Sequence, residues 1–223
     1  MNKVSELEKQ PSKPAQKTSR RTESKEVRRQ QLIDATIESI AQHGIAGTTM
    51  STVTETAGLS LGIVNFHFES KQKLFEETLV YVAREYHQHC LRAYEDVGPF
   101  AREKLTALVD AHFHPDVCTH KKLAVWYAFY GEGRRRAIYR DLIDHIDDHH
   151  WDIATELCQD IIEHGGYSCP PAKQVARTLE ALLDGIALNI LMYPESYTPA
   201  DGRKQAHTYL AAMFPKHFDM PDF

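Results

Sequence analysis

Residues 49–68 have the sequence TMSTVTETAGLSLGIVNFHF, in which two short helical segments flank a turn that contains Gly58. Thr49 has a hydroxyl that can cap a short helix, and the turn Ala57-Gly58-Leu59-Ser60 ends that helix. Gly58 can adopt the left-handed backbone conformation of a tight turn, and Ser60 can cap a second short helix. Two short helices joined in this way are typical of a helix-turn-helix, whose second helix enters the major groove of DNA. The stretch therefore predicts a DNA-reading unit.

Some apolar side chains of the second short helix must pack in a hydrophobic core, whereas others can face the DNA groove. Val64 and Phe68 fall on the helical stripe that faces a core, so we predict that both are buried packing residues. For Phe66 the pattern leaves both positions open.

The sequence outside this stretch keeps the helical period of about 3.6 residues. It has no run of strand-like alternation, and it has neither a phosphate loop nor a Gly-rich nucleotide motif. The chain is therefore predicted to be all-α, with about nine helices. After a helix that begins at Ser70, the predicted helices are Phe100–Phe113, Leu123–Gly131, Arg134–His164, Ala172–Tyr193 and Pro199–Phe214.

Charge is distributed unevenly along the 223 residues. Residues 1–73 carry 11 Lys and Arg against 8 Asp and Glu, whereas residues 74–223 carry 15 against 23. Residues 1–23 are basic and have few apolar side chains whose burial could offset the entropy of ordering, so we predict a disordered tail. The basic arm from Lys9 to Arg29 is either a solvated extension or a source of sequence-independent DNA affinity. We predict a DNA-binding domain over residues 24–73 and a larger domain over residues 74–223.

Composition is that of a globular protein, with 42% apolar and 26% charged residues. No apolar run approaches the roughly 18 residues that span a bilayer, and the first 29 residues lack the apolar segment of a signal peptide. We expect a cytoplasmic protein with no membrane partner. The four cysteines lie far apart without a C-x-x-C pair, so reduced thiols are expected.

The helix-turn-helix and its flanks resemble the TetR family of transcriptional regulators. The likeness lies in Gly44, Thr48-Thr49, Val53, Ala57-Gly58-Leu59-Ser60, Gly62-Ile63, His67-Phe68, Lys71 and Leu74. Within that family the chain is similar to the choline-responsive BetI branch, through residues 28–36, 62–64, 126–129, 139–140 and 182–185. The resemblance implies an all-helical fold with an N-terminal helix-turn-helix domain and a larger C-terminal domain for ligand binding and dimerisation.

The resemblance also implies a dimer whose two recognition helices bind successive major grooves of a pseudo-palindromic operator. Carried onto this chain, it gives six candidate DNA contacts: Thr49, Leu61, Gly62, Asn65, His67 and Lys71. The chemistry fits, because the Asn65 amide can pair with adenine and Gly62 lets DNA approach the backbone. Thr49, His67 and Lys71 can bind phosphates. The family often has Tyr where Asn65 and His67 stand, so the base preference stays open.

The resemblance implies a ligand-responsive repressor of choline and glycine betaine genes. Choline or a related cation would release this repressor from its operator. A quaternary ammonium ion has no N–H to donate, so proteins hold it against ring faces, usually with a carboxylate nearby. Trp126, Tyr130 and Tyr139 are the candidate rings, and Asp184 or Glu132 is the candidate carboxylate. Two alternatives stay open: the aromatic residues form ordinary core, or the effector is a different small molecule.

The last two predicted helices, 172–193 and 199–214, carry wide apolar surfaces. Their apolar residues include Val175, Leu179, Leu182, Leu183, Ile186, Ile190, Leu191, Tyr209, Leu210 and Met213. The resemblance implies that both helices pack against their two-fold mates as a four-helix bundle in a homodimer. The alternative is that both helices are internal to one chain.

The many histidines raise the alternative of an all-α metal-dependent enzyme. His145 and His149 lie one helical turn apart, a spacing that can bind a metal, although such groups on an exposed helix are more often solvated. The remaining close pairs point to different helical faces: His87 with His89, and His112 with His114. The sequence has no nucleophile elbow and no Glu-x-x-His pair. We therefore expect a protein that is not an enzyme and that needs no metal or cofactor.

Overall fold

The computed structural model describes residues 24–133, 136–168 and 170–222, without the side chains of residues 136 and 144–150. Within these ranges the chain forms helices and no strands, which confirms the predicted all-α class. The helices found there are α1 (Lys25–Gly47), α2 (Met50–Ala57), α3 (Leu61–His67), α4 (Lys71–Glu95), α5 (Ala101–Ala111), α6 (His120–Gly131), α7 (Arg136–Gly165), α8 (Ala172–Met192) and α9 (Pro199–Met213). No helix in this part of the chain is long and apolar enough to cross a membrane.

Two expectations from the sequence fall outside the described residues: the basic tail over residues 1–23 and the side chains of His145 and His149. One helix boundary that differs from the prediction is the start of α6, which is His120 rather than Leu123. Thr119 explains the earlier start, because its hydroxyl accepts a hydrogen bond from the Lys122 amide at 3.2 Å and so caps the helix.

Helices α2 and α3 form the predicted helix-turn-helix. The Thr49 hydroxyl accepts a hydrogen bond from the Thr52 amide at 3.1 Å, and the Thr49 amide donates to the Thr52 hydroxyl at 2.9 Å. Gly58 ends α2 with a φ of 64°, as the turn requires. Ser60 precedes α3 with extended backbone, but its side chain caps no amide of that helix, so this part of the prediction is wrong.

A first hydrophobic core joins the helix-turn-helix to the rest of the chain. It contains Val53 and Val64 from the helix-turn-helix, together with residues of α1, the first half of α4, and Val125 and Phe129 of α6. Helix α1 packs against both α4 and α6. The predicted boundary at residue 73 falls near the start of α4, and this core continues along α4 to Ala83. Helix α4 therefore belongs structurally to both halves of the molecule.

A second core lies among the end of α4 and helices α5 to α9. Its largest fully buried side chains are Leu105, Ile161, Leu179, Ile186, Leu210 and Phe214. Most apolar residues that the sequence analysis assigned to a surface of α8 and α9 lie in this core, including Val175, Leu183 and Ile190. Leu188 and Met192 of α8 remain exposed, at 40% and 59%. The apolar surface available to a second copy is therefore narrower than the sequence suggested.

Helices α8 and α9 approach closely at Gly202, which leads to a first prediction. A Cβ at this position would lie 2.5 Å from Cγ2 of Ile186 and 2.9 Å from Cε1 of Phe113, both closer than packed atoms tolerate. Because overpacking a core costs roughly 1–3 kcal/mol, we expect Gly202→Ala to lower the free energy of unfolding by about 1–2 kcal/mol.

Denaturant titration of the purified protein measures this effect. Gly62→Ala is the matched control, because a Cβ on Gly62 has no atom nearer than Ser60 Oγ at 3.9 Å. We expect the control to match the unsubstituted protein or to be slightly more stable, as Ala is the better helix former. Equal stability of the two variants would show that the helices separate at Gly202 without cost.

Candidate functional site

The outer face of α3 is the candidate DNA interface. Leu61 is 48% exposed, and Gly62 and Asn65 are exposed beside it. Val64 and Phe68 are buried at 0% and 1%, which confirms that both are core residues. The buried pair fixes the orientation of the short helix and leaves its other face open to solvent.

Phe66 lies on the exposed face of α3, with 74% of its surface accessible. The Lys25 Nζ lies 5.9 Å from the centre of the Phe66 ring, so the basic start of α1 reaches the same surface. The Thr49 hydroxyl oxygen already accepts the Thr52 amide, and its hydrogen can still be donated outward. The surface thus combines an apolar ring, an amide side chain, a hydroxyl and a lysine.

His67 and Lys71 lie half-buried at the edge of this surface. Burial lowers the pKa of His67, and the nearby charges of Lys25 and Arg29 lower it further. His67 is therefore neutral at pH 7, and it can give a phosphate a hydrogen bond but no charge. Lys71 keeps its ammonium group 5.0 Å from the Phe75 ring, at the start of α4. Of these two predicted phosphate contacts, Lys71 is the one that would supply a charge.

A cavity of about 120 Å³ lies among helices α4, α6, α7 and α8 and the segment between α5 and α6. Its lining residues are Tyr86, His112, Phe113, Val117, Cys118, Leu123, Trp126, Tyr127, Tyr130, Trp151, Glu180, Leu183, Asp184 and Ala187. Cavities of roughly 150 Å³ can hold a benzene-sized molecule. The space therefore suits a small organic ligand.

Six of the fourteen residues that line this cavity are Phe, Tyr or Trp. Trp126 and Tyr130 have ring centroids 5.9 Å apart, and Tyr127 meets Tyr130 edge-on at 6.1 Å. The Tyr127 hydroxyl donates to the backbone carbonyl of Asp184 at 2.6 Å, and burial, aided by the Asp184 charge, raises its pKa to about 12. Tyr127 therefore stays a neutral phenol, so this wall supplies ring faces without a negative charge.

On another part of the wall, His112 is held in one neutral form. Its Nδ1 donates to the Leu108 carbonyl at 2.9 Å, which leaves Nε2 to accept a hydrogen bond from the Tyr86 hydroxyl. Burial lowers the pKa of His112 to about 4, although the bond to Leu108 opposes this. Burial also raises the pKa of the Cys118 thiol to about 11. Neither residue contributes a charge to the cavity at pH 7.

Two carboxylates, Glu180 and Asp184, lie one helical turn apart on the α8 wall. Burial raises the pKa of Asp184. Burial also raises the pKa of Glu180, the Asp184 charge adds to the effect, and Arg177 opposes it. Neither carboxylate forms an ion pair with any residue that the structure describes. This wall would be stabilised by a cation in the cavity.

The structure brings together three of the five predicted ligand residues and separates the other two. Trp126, Tyr130 and Asp184 line the cavity. Tyr139 is 4% exposed and packs edge-on against Phe129 at 4.7 Å in the first core, so its proposed role as a ligand ring has to be withdrawn. Glu132 ends α6 beside Tyr139, in a different surface depression, and cannot supply charge to this cavity.

Two models of protein families match the chain. One, described as bacterial regulatory proteins of the tetR family, matches residues 32–78. The other, described as the C-terminal part of BetI-type transcriptional repressors, matches residues 101–215. A relative named HTH-type transcriptional regulator BetI, from Paraburkholderia xenovorans, is 32% identical over 186 residues, which are 83% of this chain and 93% of the relative. The chain belongs to the TetR family.

Solved structures agree with the TetR-family fold. A transcriptional regulator from Pseudomonas aeruginosa has a TM-score of 0.74 at 25% identity, covering 89% of this chain and 97% of the other. A regulator from Saccharomonospora viridis, solved in complex with choline, has a TM-score of 0.72 at 19% identity, covering 83% and 96%. The family matches describe a transcriptional regulator with a BetI-type C-terminal domain, and they give the metal-dependent enzyme no support.

TetR-family regulators bind DNA and small-molecule effectors, and this chain has a direct physical path between its two sites. Trp126 lines the cavity and also packs against the core that holds α3 in place. Lys121, five residues earlier on α6, pairs with Glu38 of α1. Helix α4 carries both Lys71 at the DNA face and Tyr86 at the cavity. A ligand that shifted α6 or α4 would therefore move elements that contact the helix-turn-helix domain.

Several residues that line the cavity of this TetR-family chain are not among those that the sequence predicted. Glu180 lies one helical turn before Asp184, so the helical period alone could have suggested it. Tyr86, His112 and Trp151 come from three further segments, which only tertiary packing brings together. The aromatic density around residues 126–130 was the available signal, and it led to only one wall of the cavity.

Proposed function

We propose that the chain is a choline-responsive transcriptional repressor, which binds its operator as a homodimer and releases it when choline or a similar small quaternary ammonium ion enters the cavity. The observation that carries this proposal is the pairing of Glu180 and Asp184 with the rings of Trp126, Tyr130 and Trp151 around one small space. Ring faces attract a cation without hydrogen bonds, and the carboxylates supply the opposite charge. A neutral ligand would leave the two carboxylates uncompensated.

The size of the cavity narrows the choice of effector. A volume of about 120 Å³ fits an ion with few heavy atoms and is too small for a long acyl chain. Glycine betaine has nearly the same cationic head as choline but carries a carboxylate. Because like charges repel in a partly desolvated site, Glu180 and Asp184 would favour choline over betaine. The choline complex of the Saccharomonospora viridis regulator supports this assignment by analogy.

The homodimer is proposed to form through α8 and α9. Exposed Leu188 and Met192 lie on α8, the same helix that carries the two cavity carboxylates. An isologous contact there would set the separation of the two α3 helices. Leu188 lies one helical turn after Asp184 on the same face of α8, so ligand binding beside it would change that separation, provided that the cation binds the two arrangements with different affinity. The regulator would act in the cytoplasm, where its operator lies.

A fluorescence titration with choline tests the effector assignment. The chain has two tryptophans, Trp126 and Trp151, and both line the cavity, so intrinsic emission reports directly on its occupancy. We expect a saturable change in emission with choline. The uncharged isostere of choline, in which carbon replaces nitrogen, should bind at least about tenfold more weakly, since cation–π attraction of about 1–2 kcal/mol is lost.

Glycine betaine is the second comparison in that titration, and it should bind more weakly than choline. Equal affinity for choline and its uncharged isostere would contradict the role of the charged wall. If choline leaves the emission unchanged while another small cation shifts it, the alternative of a TetR-family repressor with a different effector is favoured. The same carboxylates and rings would then hold that cation.

A further inference from the structure

We infer that His89, His114 and Asp116 form a binding site for one divalent transition-metal ion of the zinc type. One nitrogen of each imidazole and one carboxylate oxygen lie within 4.8 Å of one another. The two imidazole rings have centroids 4.5 Å apart, and the His114 Nδ1 lies 3.7 Å from an oxygen of Asp116. This group of three side chains is called the histidine site below.

Tertiary structure assembles the histidine site from two segments that are distant in sequence. His89 belongs to α4, whereas His114 and Asp116 lie in the segment between α5 and α6. In the sequence, the pair His112 and His114 was expected to point in different directions, and it does: His112 lines the cavity, while His114 stacks on His89. The site therefore uses one histidine from each of two neighbouring pairs, which no linear motif shows.

The segment that carries two of the three ligands is held at both ends. The His114 carbonyl accepts hydrogen bonds from the amides of Val117 and Cys118, at 2.9 and 2.8 Å. The Lys122 ammonium group donates to the Asp116 carbonyl. Val117 is buried, which anchors the turn to the wall of the cavity. The donor atoms therefore stand on a fixed turn. The His114 Nδ1 accepts a hydrogen bond from the Asp116 amide at 3.2 Å, which a rotation of the ring toward an ion would break.

The donor set indicates the class of metal. Two imidazoles and one carboxylate suit zinc or a neighbouring first-row ion, whereas magnesium and calcium prefer sets of oxygen ligands. Donor atoms around a tetrahedral zinc lie about 3.4 Å apart, given Zn–N distances of about 2.0–2.1 Å. His114 and Asp116 are largely exposed, so they can close from 4.8 Å to that spacing while water takes the fourth position.

The neighbouring pair of His207 and Asp110 shows, by contrast, what would prevent a metal ion from binding. His207 pairs with Asp110 at 2.6 Å, but Arg203 already binds both oxygens of that carboxylate. The guanidinium group occupies the place that a cation would take. The histidine site has no such basic side chain among its described ion pairs, and His89 and His114 both face a solvent-accessible depression through which an ion can enter.

The histidine site shares both of its segments with the effector cavity. Tyr86 lies one turn before His89 on α4, and His112 lies two residues before His114. The hydrogen bond between Tyr86 and His112 joins the same two segments inside the cavity. A metal that bridges His89 to His114 would fix the separation of these segments and so restrain one wall of the cavity. This link does not depend on which effector binds there.

Isothermal titration of zinc chloride into untagged, chelator-treated full-length protein tests the site. We expect one zinc equivalent whose affinity falls at least about tenfold in His114→Ala and in Asp116→Asn. His164→Ala is the matched control, because His164 is another exposed histidine that lies within hydrogen-bonding distance of a second histidine, His217, at 3.2 Å. Its zinc affinity should stay unchanged. Thermal unfolding without zinc should be the same for all variants, since these side chains are exposed.

Absence of zinc binding by the unsubstituted protein would overturn the site, and so would identical isotherms for His114→Ala and the unsubstituted protein. Tryptophan emission tests the link between the histidine site and the cavity. Zinc is a d¹⁰ ion without redox chemistry, so a change in emission reports a change around the tryptophans and not redox quenching by the metal. We expect zinc to change the emission of the unsubstituted protein and not that of His114→Ala. Unchanged emission at saturating zinc would overturn the link.

Discussion

Replacing both cavity carboxylates, by Glu180→Gln with Asp184→Asn, is expected to weaken choline binding by at least about a hundredfold while operator binding is kept. Both side chains keep their shape and lose only their charge, and neither forms an ion pair in the described chain. Losing two charges that face a partly desolvated cation removes about 3 kcal/mol, after allowance for the solvent that reaches Asp184. Tryptophan emission measures the affinity.

Glu132→Gln is the matched control for this double substitution. Glu132 was an equal candidate in the sequence but lies outside the cavity, so its loss should leave choline affinity unchanged. The double variant should also be at least as stable as the unsubstituted protein, because burial and mutual repulsion disfavour both charges. Choline affinity of the double variant within twofold of the original would show that the cation binds elsewhere.

Acidification should weaken choline binding through the same two residues. The pKa values of Glu180 and Asp184 are raised in the ligand-free protein, so protons compete with the cation for these carboxylates. The affinity for choline is therefore highest above the raised pKa values and falls as the pH decreases through them. The fall begins at a higher pH than it would for ordinary carboxyl groups, whose pKa values are about 4. The double variant should lose this pH dependence.

Asn65→Ala is expected to weaken binding to the cognate operator by about 1–3 kcal/mol for each recognition helix and to leave binding to random DNA unchanged. The exposed Asn65 amide is the group on α3 that can read a base through two hydrogen bonds. Lys71→Ala should instead weaken all DNA sequences alike and reduce the salt dependence of binding by about one ion for each subunit. Anisotropy of labelled duplexes at several salt concentrations measures both effects.

His67→Ala separates charge from hydrogen bonding in the same experiment. Because His67 is neutral at pH 7 in the free protein, its loss should weaken binding without changing the salt dependence. Ser51→Ala is a neighbouring control, since Ser51 is exposed on α2 but is not among the candidate contacts. If Asn65→Ala weakened binding to random DNA as much as it weakened binding to the cognate operator, Asn65 would not face the bases.

Local patterns in the sequence were enough to predict the DNA-reading half. The cap at Thr49, the left-handed Gly58 and the buried Val64 all depend on residues within one or two turns of each other. Their spacing therefore specifies the geometry directly. Ser60 was misjudged because the same pattern permits a side-chain cap without requiring one, and the choice depends on the packing of α3.

Predicting the cavity needed information that one sequence does not hold. Tyr139 and Trp126 are both aromatic and lie near each other in sequence, yet Tyr139 turns into the first core and Trp126 reaches the cavity. That difference depends on how α7 packs against α4, which helical periodicity does not reveal. Tyr86 and His112 could not be predicted for the same reason, since they join the cavity from other segments of the chain.

A competition measurement tests the claim that a cation in the cavity releases DNA. A labelled duplex from upstream of the chain's own gene is bound to the protein at fixed salt with excess competitor DNA, and choline is added while anisotropy is followed. We predict that choline releases the duplex from the unsubstituted protein and not from the variant with Glu180→Gln and Asp184→Asn. Release from both proteins alike, or from neither, would contradict the claim.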